Sequence, residues 1–426
     1  MRSLFCLAIS VLLTAAPLPA ASQQDLDAAD WLRLAAKAMC ERNDLTGIEA
    51  QLEIPGSWLL EESRFPPEGA ARRIVVRLVL PGAHELVLER RQVNGRLRQF
   101  RLSFFEQTGS ILEPSLQAML DGSCQFQSAR KIRSEGEAWR YLDQLEGDLQ
   151  TLRWTETLQA PWPSGTDPGG VRVGLVDSGL AYDLPLFRDQ LARDETGNPL
   201  GYDYWDLDPW PYDGDTSRGP FFPIRHGTAV ASVLMREAPA VALVPYRYPR
   251  PDLNRMADLV ESAAQDGVRI LAMPLGSRNA ADWAAFVEVL ERNDILAIVS
   301  AGNDGRDIDR TPVYPAAFDL ENILTVTSSD AFGKLAPGSN WGRESVDIML
   351  PAENVKVTDF RGAAGVASGS SYAVPLLAAL AARILEKDPD LTALELKSQI
   401  LKRASQSPFE RNGVVANGWI PDPLAD

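Results

Sequence analysis

The chain has 426 residues, of which 45% are hydrophobic and 23% are charged, and its formal net charge is −16. This length allows at least two folded domains, and the composition is that of a globular protein rather than a disordered or fibrous one. The acidic balance argues against a nucleic-acid or anionic-membrane surface, because those partners require clustered lysine and arginine. His84 and His226 are the two histidines of the chain, so a metal site built from several histidines is excluded.

The first 22 residues have the pattern of a secretory signal peptide. One arginine precedes an apolar run over residues 4–16, and small residues and prolines follow. The run is shorter than the roughly 20 apolar residues of a membrane-spanning helix, so we expect cleavage without stable membrane insertion, and a secreted or periplasmic protein. Cys6 would leave with the signal. Export to an oxidising compartment favours a disulfide between Cys40 and Cys124, and two buried free thiols are the alternative.

Residues 23–160 are predicted to form a small α+β domain. Apolar positions recur at helical spacing over 25–40, and strand-like stretches follow at 73–80, 84–92 and 97–105. His84 lies at the start of one of these stretches and is interpreted as structural. Residues 161–170 are rich in proline and glycine, and we interpret them as a linker.

Residues 171–426 show a different pattern, in which short apolar runs alternate with helical stretches. The runs lie at 171–176, 241–246, 270–273, 295–299 and 323–327, and helices are predicted near 256–265 and 283–291. Continuous apolar strands separated by helices indicate an α/β domain whose mostly parallel sheet is covered on both faces. Most of the net negative charge also lies in this part of the chain.

Three short segments of the α/β part contain residues suited to nucleophilic catalysis. Asp177 ends an apolar strand, at the edge where open parallel sheets bind ligands. His226 precedes a run of small residues, and Ser371 lies where a buried helix is predicted to begin. Taken singly, each is better interpreted as a turn, capping or core residue. Together they supply a carboxylate, a base and a nucleophile.

These segments resemble the motifs of the subtilisin-like serine proteases, in the family's order of aspartate, histidine and serine. The matching stretches are Asp177-Ser178-Gly179, His226-Gly227-Thr228 and Gly369-Ser370-Ser371-Tyr372-Ala373-Val374-Pro375. Serine stands at 370 where threonine is usual. The resemblance gives the nucleophile to Ser371, the serine four residues before the proline, and covers roughly residues 171–404.

A fourth stretch, Ala301-Gly302-Asn303, is similar to the family segment whose asparagine amide donates to the oxyanion. The resemblance therefore implies this role for Asn303, beside the backbone N–H of Ser371. Taken alone, the stretch is a turn.

The resemblance implies a subtilisin-like three-layer fold and an exported serine endopeptidase that cleaves protein or peptide substrates through an acyl-enzyme. No cofactor is expected for catalysis. A catalytically inactive binding or regulatory module of the same fold is the alternative. A nucleotide-binding protein is disfavoured, because no glycine-rich phosphate loop follows the first apolar strand. The domain at 23–160 is expected to be a propeptide or inhibitory domain acting in cis, or an accessory domain that stays attached.

Two further segments are singled out by the resemblance. Asp203, Asp206 and Asp208 have a spacing similar to a calcium loop of some subtilisin relatives, and a solvated acidic loop is the alternative. Leu275 and Gly276 match a strand that pairs with the substrate backbone. Pro274 replaces the usual serine there and removes a backbone donor, so pairing at that point is expected to be altered.

Overall fold

The computed structural model describes residues 26–42, 45–67, 70–94, 96–409 and 413–425, so the predicted signal peptide lies outside the described residues. Two compact units are present. The first reaches Arg133 and includes Asp143–Thr155, and the second comprises Ser134–Leu142 and the chain from Glu156 onward. Within the described ranges, no helix combines the length and the apolarity that a membrane crossing requires.

An antiparallel meander dominates the first part of the chain. Eight strands pair in sequence order, and alternating residues of the second strand, Ile74, Val76 and Leu78, are buried. The elements are α1 (Ala28–Cys40), α2 (Ile48–Gln51), β1 (Trp58–Phe65), β2 (Arg73–Val79), β3 (Glu85–Val93), β4 (Arg96–Thr108), β5 (Ile111–Asp121), β6 (Phe126–Glu135), β7 (Trp139–Glu146) and β8 (Leu152–Gln159). The meander has more strands than the sequence pattern indicated.

The helix α1 begins and ends at residues whose side chains fix it. Asp27 caps its start by accepting a hydrogen bond from the Asp30 N–H at 2.8 Å, which satisfies a free helical donor. Cys40, its last residue, forms a disulfide with Cys124 in the turn after β5. The bridge closes a long loop, which restricts the unfolded chain.

A seven-stranded, all-parallel sheet forms the centre of the second unit. Its strand order is β10-β11-β9-β12-β13-β14-β15. The strands are β9 (Arg172–Asp177), β10 (Tyr202–Asp203), β11 (Ala242–Arg247), β12 (Ile270–Met273), β13 (Leu296–Ser300), β14 (Ile323–Ser329) and β15 (Ile348–Pro351), with a separate hairpin of β16 (Val355–Thr358) and β17 (Ala364–Ala367). Because both faces of a parallel sheet are covered, its central strands β12 and β13 are buried and apolar over most of their length.

Helices pack on both faces of this sheet. They are α3 (Pro185–Arg188), α4 (Gly227–Glu237), α5 (Met256–Gln265), α6 (Ala284–Glu291), α7 (Ser370–Lys387) and α8 (Ala393–Leu401). One apolar cluster contains residues of α4, α7 and α8, and a second contains residues of α5 and α6. The result is a three-layer α/β fold, which confirms the predicted fold class.

The stretch 161–170, interpreted as a linker, has no regular structure but is attached to the second unit. The indole Nε1 of Trp162 donates to the Pro209 carbonyl at 2.7 Å, and its ring stacks on Tyr182. Further along, the Asp167 carboxylate accepts from the Arg193 N–H at 2.7 Å. Proline and glycine therefore prevent a helix or strand here without making the segment a free tether.

Candidate active site

Asp177 is the last residue of β9, at the carboxyl edge of the parallel sheet. The residue is 4% exposed, and one carboxylate oxygen accepts from the Ser178 N–H at 2.6 Å. The following turn at Ser178 and Gly179 carries the chain away from the sheet. Asp177 is thus a buried carboxylate at the edge where this fold class binds its ligands.

His226 lies directly before α4, and its ring faces Asp177. Its Nδ1 is 2.8 Å from each carboxylate oxygen of Asp177, and about one third of its side chain is exposed. A carboxylate on Nδ1 favours the tautomer in which Nδ1 carries the hydrogen and Nε2 is the free acceptor. The imidazole is therefore oriented as a base.

The electrostatic surroundings of His226 favour its protonated form. Burial lowers the pKa of His226, but the charge and hydrogen bond of Asp177 raise it by more. The charges of Asp213 and Asp215 raise it further by smaller amounts. The pKa is raised from 6.5 to about 9. An imidazolium at this position is stabilised, as a proton acceptor in catalysis requires.

Glycine permits the close approach of these two segments. A Cβ on Gly227 would lie 2.0 Å from the Gly179 carbonyl oxygen, a distance that no side chain tolerates. Gly179 has φ +104°, and a Cβ there would lie 2.4 Å from the Tyr212 carbonyl oxygen. Gly227 thus allows Asp-Ser-Gly and His-Gly-Thr to lie against each other, and Gly179 allows the turn after β9 to pack on the backbone of Tyr212.

A buried carboxylate that the sequence reasoning missed holds the same two segments. Asp213 is fully buried, and it accepts from the Ser178 hydroxyl at 2.6 Å and from the Thr228 N–H at 3.0 Å. The Ser178 hydroxyl in turn accepts from the backbone N–H groups of His226 and Gly227 at 3.1 and 2.9 Å. Asp213 satisfies donors at the start of α4, where a negative charge is favoured.

Ser371 lies in the first turn of α7, as the sequence predicts, and is half-buried. The ring of the next residue, Tyr372, has its centroid 6.1 Å from that of His226, so the start of α7 lies beside the imidazole. Among the described residues, no hydrogen bond joins Ser371 to His226. Such bonds often form only when substrate is bound.

Asn303 follows β13 on a loop at the same edge of the sheet, and its side chain is exposed. The loop is held by Asn340, a fully buried residue that the sequence reasoning also missed. The Asn340 amide donates to the Ala301 carbonyl at 2.8 Å, and its oxygen accepts from the backbone N–H groups of Asp304 and Arg306. Asn303 is therefore presented on a fixed backbone.

Leu275 and Gly276 follow β12, next to a short bridge. Ser277 and Tyr314 exchange two backbone hydrogen bonds of 2.8 Å. Gly276 is exposed, Leu275 is half-buried and Pro274 is buried. A Cβ on Gly276 would lie 2.8 Å from the Tyr314 carbonyl oxygen, so the bridge also requires glycine at this position.

The carboxylates of Asp203, Asp206 and Asp208 are not brought together as a metal site. Asp203 and Asp206 both contact Nη1 of Arg247, at 2.7 and 2.6 Å, whereas Asp208 accepts from the Trp210 N–H. No group of three or more metal-ligating side chains occurs within the described ranges. The loop thus differs from the calcium loop that the resemblance suggested as one interpretation, because Arg247, at the end of β11, supplies the positive charge.

Arg247 is buried and connects several parts of the acidic loop. Its Nη2 donates to the Gly214 carbonyl at 2.6 Å, and its guanidinium lies 4.8 Å from the centre of the Trp205 ring. Burial raises the pKa of Asp203 to about 6 although Arg247 opposes this shift. The loop is consequently held by one internal cation.

His84, the other histidine, belongs to the first unit. Its Nδ1 accepts from the Gln107 N–H at 3.0 Å, and its ring packs at 5.4 Å from that of Phe104. These contacts fit the structural role that the sequence suggested.

Comparison with known proteins identifies similar sequences and folds. A model of the subtilase family matches residues 169–418. Subtilisin-like protease 1 of Pseudogymnoascus destructans is 35% identical over 130 residues, covering 30% of this chain and 31% of that protein. A thermophilic serine proteinase of a Bacillus species is 26% identical over 242 residues, covering 52% of this chain and 53% of that protein. The chain thus spans about a third of the first relative and about half of the second.

Among solved structures, that of a lanthipeptide protease has a TM-score of 0.50 and 21% sequence identity. The match covers 61% of this chain and 88% of that chain. At this identity the likeness concerns the fold alone.

Replacing Arg247 tests whether this side chain is the cation of the acidic loop. Arg247→Met leaves the buried Asp203 without its partner, and we expect a loss of about 3–5 kcal/mol in the free energy of unfolding. Addition of EDTA to the wild-type protein should leave the melting temperature unchanged. Arg255→Met, which removes an exposed pair with Asp252, is the matched control and should cost less than about 1 kcal/mol. A melting temperature that rises with added calcium would contradict this account.

Proposed function

The chain belongs to the subtilase family and carries a subtilisin-like serine protease domain, and we propose that the protein is an exported serine endopeptidase with Asp177, His226 and Ser371 as its triad. The observation that carries this proposal is the contact of His226 Nδ1 with both oxygens of the buried Asp177. The start of α7, which contains Ser371, lies beside the imidazole. An inactive module would not need a histidine held in this orientation.

In the proposed reaction, Ser371 Oγ attacks the carbonyl carbon of a peptide bond while its proton passes to His226 Nε2. Asp177 keeps the imidazole in the required tautomer and stabilises the imidazolium. The Asn303 amide and the Ser371 N–H donate to the oxyanion. His226 then gives its proton to the leaving amine, and an ester to Ser371 remains.

Water completes the cycle. His226 removes a proton from a water molecule that attacks the ester carbon, and the proton passes to Ser371 Oγ as the acid product leaves. Every proton is carried by His226, so no cofactor is needed for this chemistry. The second unit has no other histidine, because His84 lies in the first.

Proteins or peptides are the proposed substrates, bound in extended form along the stretch that contains Leu275 and Gly276. The exposure of Gly276 supports this placement. Pro274 beside it has no backbone N–H, so this point of the stretch lacks a donor that an added strand would use. The negative charge of the second unit favours basic peptide segments.

Export is supported by two features of the chain. The leader over residues 1–22 has the composition of a cleaved signal, and the disulfide between Cys40 and Cys124 is typical of an oxidising compartment. We propose a periplasmic or secreted location, and a first domain that acts on the protease domain in cis as a propeptide or inhibitor.

Replacement of the proposed nucleophile is the first test. Ser371→Ala should abolish peptide hydrolysis, because it removes the attacking oxygen, while the half-buried position tolerates loss of a hydroxyl without unfolding. Hydrolysis of a casein substrate and the amino-terminal sequence of the exported protein would be measured for both forms. Ser232→Ala, at a buried serine of α4, is the matched control and should keep activity. Undiminished hydrolysis by Ser371→Ala would refute the assignment.

The pH profile tests the pairing of His226 with Asp177. The imidazolium cannot accept a proton, so kcat/KM should rise with pH through the pKa of His226, with a midpoint on the alkaline side of 6.5. Asp177→Asn removes the charge that raises this pKa, and should move the midpoint to lower pH and reduce kcat by about 10⁴-fold. Asp189→Asn, at an exposed position, should change neither. A midpoint that stays in place in Asp177→Asn would disprove the pairing.

A further inference from the structure

We propose that the hydroxyls of Ser300 and Ser370 form a relay that fixes the side-chain amide of Asn303 with its Nδ2 directed at the reacting carbonyl. Neither serine touches the reacting atoms in this proposal, so both are positioning residues. The inference rests on the proposed function, in which Asn303 donates to the oxyanion. It assigns a role to two buried hydroxyls outside the triad.

Ser370 determines which way the Asn303 amide is turned. The Asn303 Oδ1 accepts from the Ser370 N–H at 2.9 Å and from the Ser370 hydroxyl at 3.0 Å. A backbone N–H can only donate, so the side-chain atom facing it must be the oxygen. The planar amide then directs Nδ2 to the opposite side, away from Ser370.

Ser300 determines the direction of the Ser370 hydroxyl. The two hydroxyl oxygens are 2.7 Å apart, and the Ser300 oxygen also accepts from the Gly302 N–H at 3.1 Å. Ser300 can therefore donate to Ser370, and Ser370 to Asn303. A single order of protons satisfies all four contacts, from Gly302 to Ser300, Ser370 and Asn303.

Burial makes this arrangement rigid beneath an exposed amide. Ser370 is fully buried and Ser300 is 4% exposed, whereas Asn303 is exposed. Buried hydroxyls are costly to leave unpaired, so the relay keeps its geometry when substrate exchanges at the surface. Gly369 lies against it, since a Cβ there would be 3.0 Å from the Asn303 Oδ1.

The relay restrains a side chain that its loop leaves exposed. Asn303 follows β13, and a freely rotating amide at this position would donate to an oxyanion only part of the time. Preorganised donors stabilise the transition state because they need no reorientation as charge develops. Loss of the relay should therefore lower kcat and leave KM nearly unchanged.

The experiment compares Ser300→Ala, Ser370→Ala and Ser370→Thr, each in the wild-type and in the Asn303→Ala background. We expect each alanine variant to reduce kcat by about tenfold, the equivalent of one hydrogen bond, with KM within about twofold of wild type. Ser370→Thr retains a hydroxyl at this position, so its kcat should be close to that of the wild type. In the Asn303→Ala background, the alanine variants should cause no further loss. Ser232→Ala is the control for removal of a buried hydroxyl.

The relay would be overturned if Ser300→Ala and Ser370→Ala lowered kcat by the same factor in the wild-type and in the Asn303→Ala background. An unchanged kcat in both alanine variants would also overturn it. If Ser370→Ala fails to fold, Ser300→Ala alone carries the test. Crystal structures of the variants give a readout that does not depend on turnover. The Asn303 side chain should keep one well-ordered conformer in wild type and Ser370→Thr, and be less ordered in Ser370→Ala, where only the backbone N–H of residue 370 remains as a donor to its Oδ1. A wild-type protein without hydrolytic activity would instead refute the proposed function, and these conformers would still test the relay.

Discussion

The close approach of two backbone turns, at Gly179 and Gly227, is the constraint on which the site depends. With any side chain at 227, the turn after β9 and the start of α4 would be forced apart. His226 would then leave Asp177, whose two oxygens lie 2.8 Å from its Nδ1. Asp213 and the Ser178 hydroxyl join the same two segments by hydrogen bonds. The pair of Asp177 and His226 is thus held by backbone packing and buried polar contacts.

The parallel sheet brings the other groups to this place. Asp177 ends β9, Asn303 follows β13 and Leu275 follows β12, and the carboxyl ends of parallel strands share one edge. The amino-terminal end of α7 presents Ser371 at that edge, where the helix favours developing negative charge. Several buried polar side chains around this edge of the sheet hold its loops and side chains in place. Asn340 holds the loop of Asn303, Arg247 holds the acidic loop, and Ser300 and Ser370 direct one amide.

The fold class was predictable because apolar runs without alternation indicate buried parallel strands, and most of these runs coincide with strands of the structure within a residue or two. The positions of Asp177, His226 and Ser371 followed from local motifs. The role of Asp213 could not be predicted, because its stretch of the sequence has the composition of an acidic loop and its hydrogen-bond partners are 13 to 35 residues away along the chain. Arg247 could not be paired with Asp203 and Asp206 for the same reason, since 41 to 44 residues separate them. The sequence identifies the carboxylates, but only the folded chain shows with which cation they form ion pairs.

The central claim is that Ser371 is a nucleophile activated by His226. Labelling with a fluorophosphonate probe, followed by mass spectrometry of the digested protein, tests it most directly, because the probe reacts with an activated serine without needing the natural substrate. We expect a single modified serine, Ser371, in the wild-type protein and little or no labelling in His226→Ala. Labelling at another serine, or equal labelling of Ser371 in His226→Ala, would contradict it.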